Sequence, residues 1–176
     1  MKVLLSEAEL REGVTRLARE INESYHDRAL TIVGVLTGSI VLVADLIRQV
    51  TIPLRVGVLQ ARSYRGTATL PGELTINADL MPDIKARHVL VVDDIFDTGK
   101  TLLRLMDQLK GMGPASVRSA VLLRKQGRQC VEMQPDHVVF EIPDAFVVGY
   151  GLDYQDEYRN LPHLAALESS DLEASV

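Results

Sequence analysis

Apolar residues in this chain follow two spacings, and the two spacings come in turn. Val89, Leu90, Val91 and Val92 run together with no polar residue between them, the pattern of a parallel strand covered on both faces. Leu102, Leu105, Met106 and Leu109 then recur at helical spacing, which puts Thr98 to Thr101 in the first turn of a helix. The same order occurs earlier. Ala29 to Leu36, broken only by Thr31 and Gly34, reads as a buried strand, and a helix is expected from about Ile40 to Gln49. Before it, Leu10, Val14, Leu17, Ala18 and Ile21 mark one helical face, headed by Ser6 and Glu9 at capping-box spacing. Leu54 to Gln60 and Ser116 to Leu123 read as further strands, and Glu73 to Asn77 as a returning one. Gly111, Gly113 and Pro114 stop the helix that precedes Ser116.

The chemistry gathers where these elements meet. Asp93 and Asp94 are expected where the Val89 to Val92 strand surfaces, and Thr98, Gly99, Lys100 and Thr101 follow at the helix N-terminus. The first turn of a helix has backbone N–H groups without partners and is the positive end of the peptide dipoles, so phosphate fits there. Gly99 lets the backbone approach an anion, and the hydroxyls of Thr98 and Thr101 add donors. Two adjacent carboxylates would repel a bare phosphate, so Asp93 and Asp94 suit sugar hydroxyls or a divalent cation. A P-loop is excluded, because five positions before Gly99 stands Asp94 instead of glycine. No G-x-G-x-x-G follows a predicted strand either. Thr37, Gly38 and Ser39 form a second strand-to-helix turn of the same plan, for which an ordinary βα turn is the plain alternative. Between the two turns, Arg62 to Gly72 is polar and long enough for a lid or binding loop.

The run VLVVDDIFDTGKT resembles the phosphoribosyl-diphosphate (PRPP) signature of type I phosphoribosyltransferases, and Asp97 within it is similar to the 6-oxopurine branch, the hypoxanthine and guanine enzymes. Ser63-Tyr64 resembles the pair heading that branch's mobile loop, and Phe140 to Tyr154 its C-terminal part. The resemblance runs from the first helix to about His163. It implies an α/β fold with a central, mostly parallel twisted sheet flanked by helices and a small hood formed by the chain ends. It further implies transfer of a 5-phosphoribosyl group from PRPP to a purine nitrogen, with Mg²⁺ as cofactor and a homodimer or homotetramer as the assembly.

By the same resemblance, Asp93, Asp94, Thr98, Gly99, Lys100 and Thr101 would bind the ribose phosphate, and Thr37, Gly38, Ser39 and Arg159 the pyrophosphate. Lys125, Phe146, Val147 and Asp153 would form the purine site, and Asp153, Asp93 and Asp94 would serve the metal. Asp97 would act as acid or base, with Ser63 and Tyr64 on the closing loop. Thr37 departs from the lysine common at its position, which removes one positive charge from the pyrophosphate loop. For Phe146 and Val147, core packing is the competing reading, and for Lys125 a solvated surface charge.

Composition narrows the classes. At 176 residues the chain has room for one domain, expected over 1–167, with a fraying tail over 168–176. A net charge of −5 argues against a nucleic-acid partner. No stretch approaches the roughly 20 apolar residues that span a bilayer, and Ser6 and Glu7 interrupt any signal-peptide core, so no membrane partner is expected. Cys130, the single cysteine, forms no internal disulfide and reads as an inert small hydrophobe in a reducing cytoplasm. His26, His88, His137 and His163 show no metal-ligand spacing. The alternatives are a nucleotide sensor that keeps the PRPP fold, a xanthine-preferring or pyrimidine transferase, with Asp97 and Lys125 counting against a pyrimidine, and an acidic receiver domain. The last leaves Phe146 to Asp153 and the Thr98-Gly99 turn without a purpose.

Overall fold

In a computed structural model, which describes residues 1–63, 74–168 and 171, a six-stranded sheet forms the centre. Its strands are β2 (Leu30–Leu36), β3 (Leu54–Ser63), β4 (Leu74–Asn77), β5 (His88–Phe96), β6 (Ser116–Lys125) and β7 (His137–Ile142), in the order β4-β3-β2-β5-β6-β7. Every pairing is parallel except that of β4 with β3 at the edge. Helices α1 (Glu7–Ser24) and α2 (Ile40–Ile47) share one core with the sheet, and α3 (Lys100–Lys110) builds another.

The unbroken apolar runs follow from this layering. Ile32, Leu90 and Val92 enter the core under α1 and α2, while Val33, Val89 and Val91 enter the core under α3 with Leu102, Leu105, Met106 and Leu109. A strand covered on both faces has no side left for polar alternation. The capping box also forms: Glu9 N–H donates to Ser6 Oγ at 3.3 Å and Ser6 N–H to Glu9 Oε2 at 2.8 Å.

Chain order along the sheet reverses at β2. From β2 the chain crosses through α2 to β3 on one side, and from β5 through α3 to β6 on the other. Crossovers of a single hand then place α2 and α3 on opposite faces, and the crevice between β2 and β5 opens at the carboxyl ends of the strands. The register shows where it opens. The last β2–β5 pair is Gly34↔Val92, whereas β5 stays paired to β6 as far as Phe96↔Arg124.

That corrects one expectation: Asp93 and Asp94 lie within β5, not beyond it, at the point where the strand loses its β2 neighbour. Lys125, expected just past a strand of Ser116 to Leu123, is likewise the last residue of β6. A second sheet, β1-β9-β8, is built from the chain ends: β1 (Lys2–Leu5) pairs antiparallel with β9 (Leu164–Ala166), and β9 with β8 (Val147–Val148). This is the hood. Tyr64 and most of the loop expected over Arg62 to Gly72 lie outside the described residues, as does the side chain of Ser63. Among the described residues no helix is long and apolar enough to cross a membrane.

Candidate active site

A crevice of about 290 Å³ opens above the β2/β5 gap, lined by Gly38, Asp93, Asp94, Asp97, Thr98, Gly99 and Thr101 among others. Gly99 caps α3 with φ 82°, a left-handed conformation that side chains rarely adopt, and the Phe96 ring and Val131 fill the space a Cβ would need. The chain can therefore turn from β5 into α3 within Asp97 to Gly99 and aim the first-turn N–H groups of α3 at the crevice. A neighbouring segment fixes that turn from outside, where Cys130 N–H donates to the Thr98 carbonyl at 2.9 Å. Cys130 itself is exposed, and its thiol donates to the Arg128 carbonyl at 3.4 Å.

Asp93 is 8% exposed, and Asp94 N–H donates to its Oδ1 at 3.0 Å. Burial first, and the neighbouring Asp94 charge second, push the Asp93 carboxyl well above the usual carboxylate range. Burial also raises Asp94. Two adjacent carboxylates, one buried and one half-buried, that resist ionising together are arranged for something that brings donors or positive charge to them.

The turn after β2 meets this pair directly. A Cβ on Gly38 would run into the Asp94 carboxylate. Ser39 is fully buried, and its Oγ donates to the Val35 carbonyl at 2.7 Å, so this hydroxyl shapes the turn and does not face the crevice. The Leu36–Thr37 peptide is cis.

A second cavity of about 220 Å³ adjoins the first, lined by Asp94, Ile95, Asp97, Lys125, Phe146, Val147, Leu152 and Asp153. Asp94, Ile95 and Asp97 line both. Phe146 is 48% exposed and meets the Tyr154 ring edge-on at 5.3 Å, so core packing does not account for it. Val147 is buried. Arg159 stands behind this wall: its guanidinium donates to the Gly151 carbonyl at 2.9 Å and pairs with Asp153 at 2.8 Å. It is also close enough to Asp94 to lower that carboxyl's pKa in part, against the larger effect of burial. Lys100 is exposed at the start of α3 and lines neither cavity.

Several contributing residues carried no assignment in the sequence. Arg128 Nε donates to Asp97 Oδ1 at 3.0 Å, and Asp144 faces both Arg128 and Lys125. Tyr150 Oη donates to Asp45 Oδ2 at 2.7 Å and ties the hood to α2. Burial and the Asp45 charge both raise the Tyr150 phenol, so it stays a donor. Lone charges in short polar turns have no periodicity to betray them. Tyr150 could have been suspected from its place between Gly149 and Gly151.

A sheet with a reversed strand order, a helix turn ready for phosphate and a carboxylate pair at the reversal define an α/β protein that binds a phosphorylated sugar or nucleotide. The family model of the phosphoribosyl transferase domain matches residues 4–155. The chain is 41% identical over 167 residues to the hypoxanthine-guanine phosphoribosyltransferase of Streptococcus pneumoniae, covering 95% of this chain and 93% of the relative. It is 40% identical to the hypoxanthine phosphoribosyltransferase of Haemophilus influenzae, covering 92% of each. The crystal structure of a hypoxanthine phosphoribosyltransferase from Staphylococcus aureus superposes with a TM-score of 0.90 at 34% identity, over 97% of this chain and 92% of the other. The chain belongs to the phosphoribosyl transferase family.

Proposed function

We propose that this protein is a purine-salvage enzyme that transfers the 5-phosphoribosyl group of PRPP to hypoxanthine or guanine, giving IMP or GMP and pyrophosphate. One observation carries the reading. The phosphate-ready crevice and the crevice holding Phe146 and Lys125 share Asp94 and Asp97 as a common wall, so a phosphosugar in one meets a flat base in the other.

Each residue then has a task. The turn from Thr98 to Thr101 would hold the 5′-phosphate, a remote handle whose binding energy orients the reacting carbon. Asp93 and Asp94 would accept hydrogen bonds from the ribose hydroxyls and offset positive charge growing on the sugar ring. Thr37, Gly38 and Arg159 would meet the leaving pyrophosphate, with Ser39 holding the turn from inside. Phe146 would stack on the purine, and the Val147 backbone would meet its edge. Lys125 has only donors, so it would favour an exocyclic oxygen over an amine and thereby reject adenine. Asp97 would exchange a proton with the purine's imidazole edge and make the attacking nitrogen more nucleophilic. Ser63 and Tyr64 are proposed to head a closing loop that excludes water.

The donors present suit Mg²⁺. Mg²⁺ is commonly held by one or two carboxylates and completes its shell with substrate oxygens and water. Asp153, Asp93 and Asp94 supply such hard oxygens around the two cavities. When bound, the ion would neutralise charge on the diphosphate leaving group. Self-association as a homodimer or homotetramer belongs to the same reading. The short helix α2 is apolar except for Asp45, yet its Ile40 is 49% exposed, as suits a face that a second copy covers.

Incubation with PRPP, Mg²⁺ and each free purine in turn tests the proposal. Formation of IMP and GMP with release of pyrophosphate is the expected result. Product from adenine alone, or from no purine, would refute it, and a preference for xanthine would move the substrate assignment.

A further inference from the structure

Four charged side chains close a ring beside the second cavity. Arg128 Nε lies 3.0 Å from Asp97 Oδ1 and 3.8 Å from Asp144 Oδ2, while Lys125 Nζ lies 3.7 Å from Asp144 Oδ1 and 3.9 Å from Asp97 Oδ2. The signs alternate around the ring, and the formal charges cancel. Its members come from separate parts of the chain: the β5–α3 turn, the end of β6, the turn after β6 and the link from β7 to the hood. The Arg128–Asp97 contact is within hydrogen-bond reach, whereas Lys125 faces two carboxylates at distances beyond it. The donors of Lys125 are thus attracted by two carboxylates and hydrogen-bonded to neither.

That balance matters because Lys125 and Asp97 line the same cavity with opposite charge. Drawn together without other partners, they would form a direct ion pair. The ammonium donors meant for a base carbonyl and the carboxylate oxygen meant for a base proton would then satisfy each other. Asp144 offers Lys125 a second carboxylate to compete with Asp97, and Arg128 occupies Asp97 Oδ1, the oxygen other than the one nearest Lys125. We propose that Arg128 and Asp144 are positioning residues of the purine subsite, which keep Lys125 and Asp97 from neutralising each other and so leave both groups available to the base.

The inference rests on the purine reading of this cavity. A stabilising role is a poor explanation for the ring, since the side chains of Arg128 and Asp144 are 48% and 53% exposed and exposed ion pairs contribute little to stability.

The test compares wild type with Arg128→Gln, Arg128→Lys and Asp144→Asn, varying hypoxanthine or guanine at saturating PRPP and Mg²⁺, then varying PRPP at saturating purine. Arg128→Gln and Asp144→Asn should each lower kcat/KM for the purine on the order of tenfold, because misplacing a reacting group by about 1 Å can cost up to about 100-fold. The KM for PRPP should stay within about twofold, and Arg128→Lys should recover most of the loss because it restores the charge. Melting temperatures should match wild type to within about 2 °C, which separates positioning from folding. The proposal is overturned if both neutral variants keep purine kcat/KM within about twofold of wild type, if the PRPP KM rises in step with the purine KM, or if Arg128→Lys is as impaired as Arg128→Gln. Wild-type protein that makes no nucleoside monophosphate would sink the purine reading itself, and this proposal with it, whatever the variants do.

Discussion

The Asp94 carboxylate lies against the Cα of Gly38, so close that a methyl group on Gly38 would run into it. The turn after β2 and the end of β5 thus touch across the crevice, and the position of one fixes the other. Gly38→Ala must displace either the carboxylate or the turn. Its kcat/KM for PRPP should fall by about 10-fold to 100-fold, the scale of a misplacement near 1 Å. Steady-state kinetics with PRPP varied would check this, and an unchanged kcat/KM would show that the contact is not needed.

Gly99 carries a different constraint. Its φ of 82° and the crowding by Phe96 and Val131 both oppose a side chain. The left-handed conformation alone costs an L-residue about 1–2 kcal/mol, and the clash adds to it. For a chain of this size about 1 kcal/mol shifts the melting temperature by roughly 2–4 °C, so Gly99→Ala should melt at least that far below the parent. Thermal unfolding followed by circular dichroism measures it. An equal melting temperature would mean that the turn relaxes freely.

How much of this was legible beforehand depends on how local each signal is. The capping box of α1 lies within Ser6 to Glu9 and was readable as written. So were the apolar runs of β2 and β5, because burial on both faces leaves its mark inside a single strand. The end of β5 was not readable, since it depends on β6 remaining paired after β2 has left. Asp93 and Asp94 looked like loop residues for that reason. The hood joins Lys2 to Ala166, and only the family resemblance could anticipate a pairing across nearly the whole chain. Arg128 and Asp144 stand in polar turns, where one charged residue looks like any other until the fold brings them to Asp97 and Lys125.

Asp93 leads to a pH prediction. Its folded carboxyl pKa is raised by burial and by Asp94, so at this site the folded protein binds protons more tightly than the unfolded chain. The stability contributed is fully present below the unfolded value of about 3.9 and is lost as pH rises through the folded value. Asp93→Asn is nearly isosteric and cannot ionise. Without ligand or metal, its melting temperature should exceed that of wild type at about pH 8, and the gap should close towards about pH 4. Melts across that range decide the matter, and a gap independent of pH would contradict the assignment. The same variant should bind PRPP more weakly, because an amide offers the ribose hydroxyls one acceptor oxygen where the carboxylate offers two.

Asp97 stands in the wall between the two cavities, 37% exposed and paired with Arg128. Asp97→Asn should cut turnover on the order of 100-fold or more, the usual range for loss of a general acid or base, with a smaller effect on PRPP binding. Turnover and calorimetric PRPP affinity, measured on the same folded preparation, separate the two effects. Unchanged turnover would remove Asp97 from the chemistry.

Thr37 tests what a missing charge costs. In the proposed role of the turn after β2, no cation of its own would face the pyrophosphate: Thr37 is exposed and uncharged, Gly38 lines the crevice, and the Ser39 hydroxyl is turned inward. Thr37→Lys would add one. An exposed charge pair contributes about 0.2–1 kcal/mol, or up to about fivefold in affinity, and the KM for PRPP should fall by that much. The gain should shrink as salt is raised towards about 1 M, where the screening length drops to about 3 Å, while the wild-type KM changes less. A KM that does not move at low salt would mean that Arg159 and the metal already neutralise the diphosphate, and that the threonine leaves no electrostatic gap to fill.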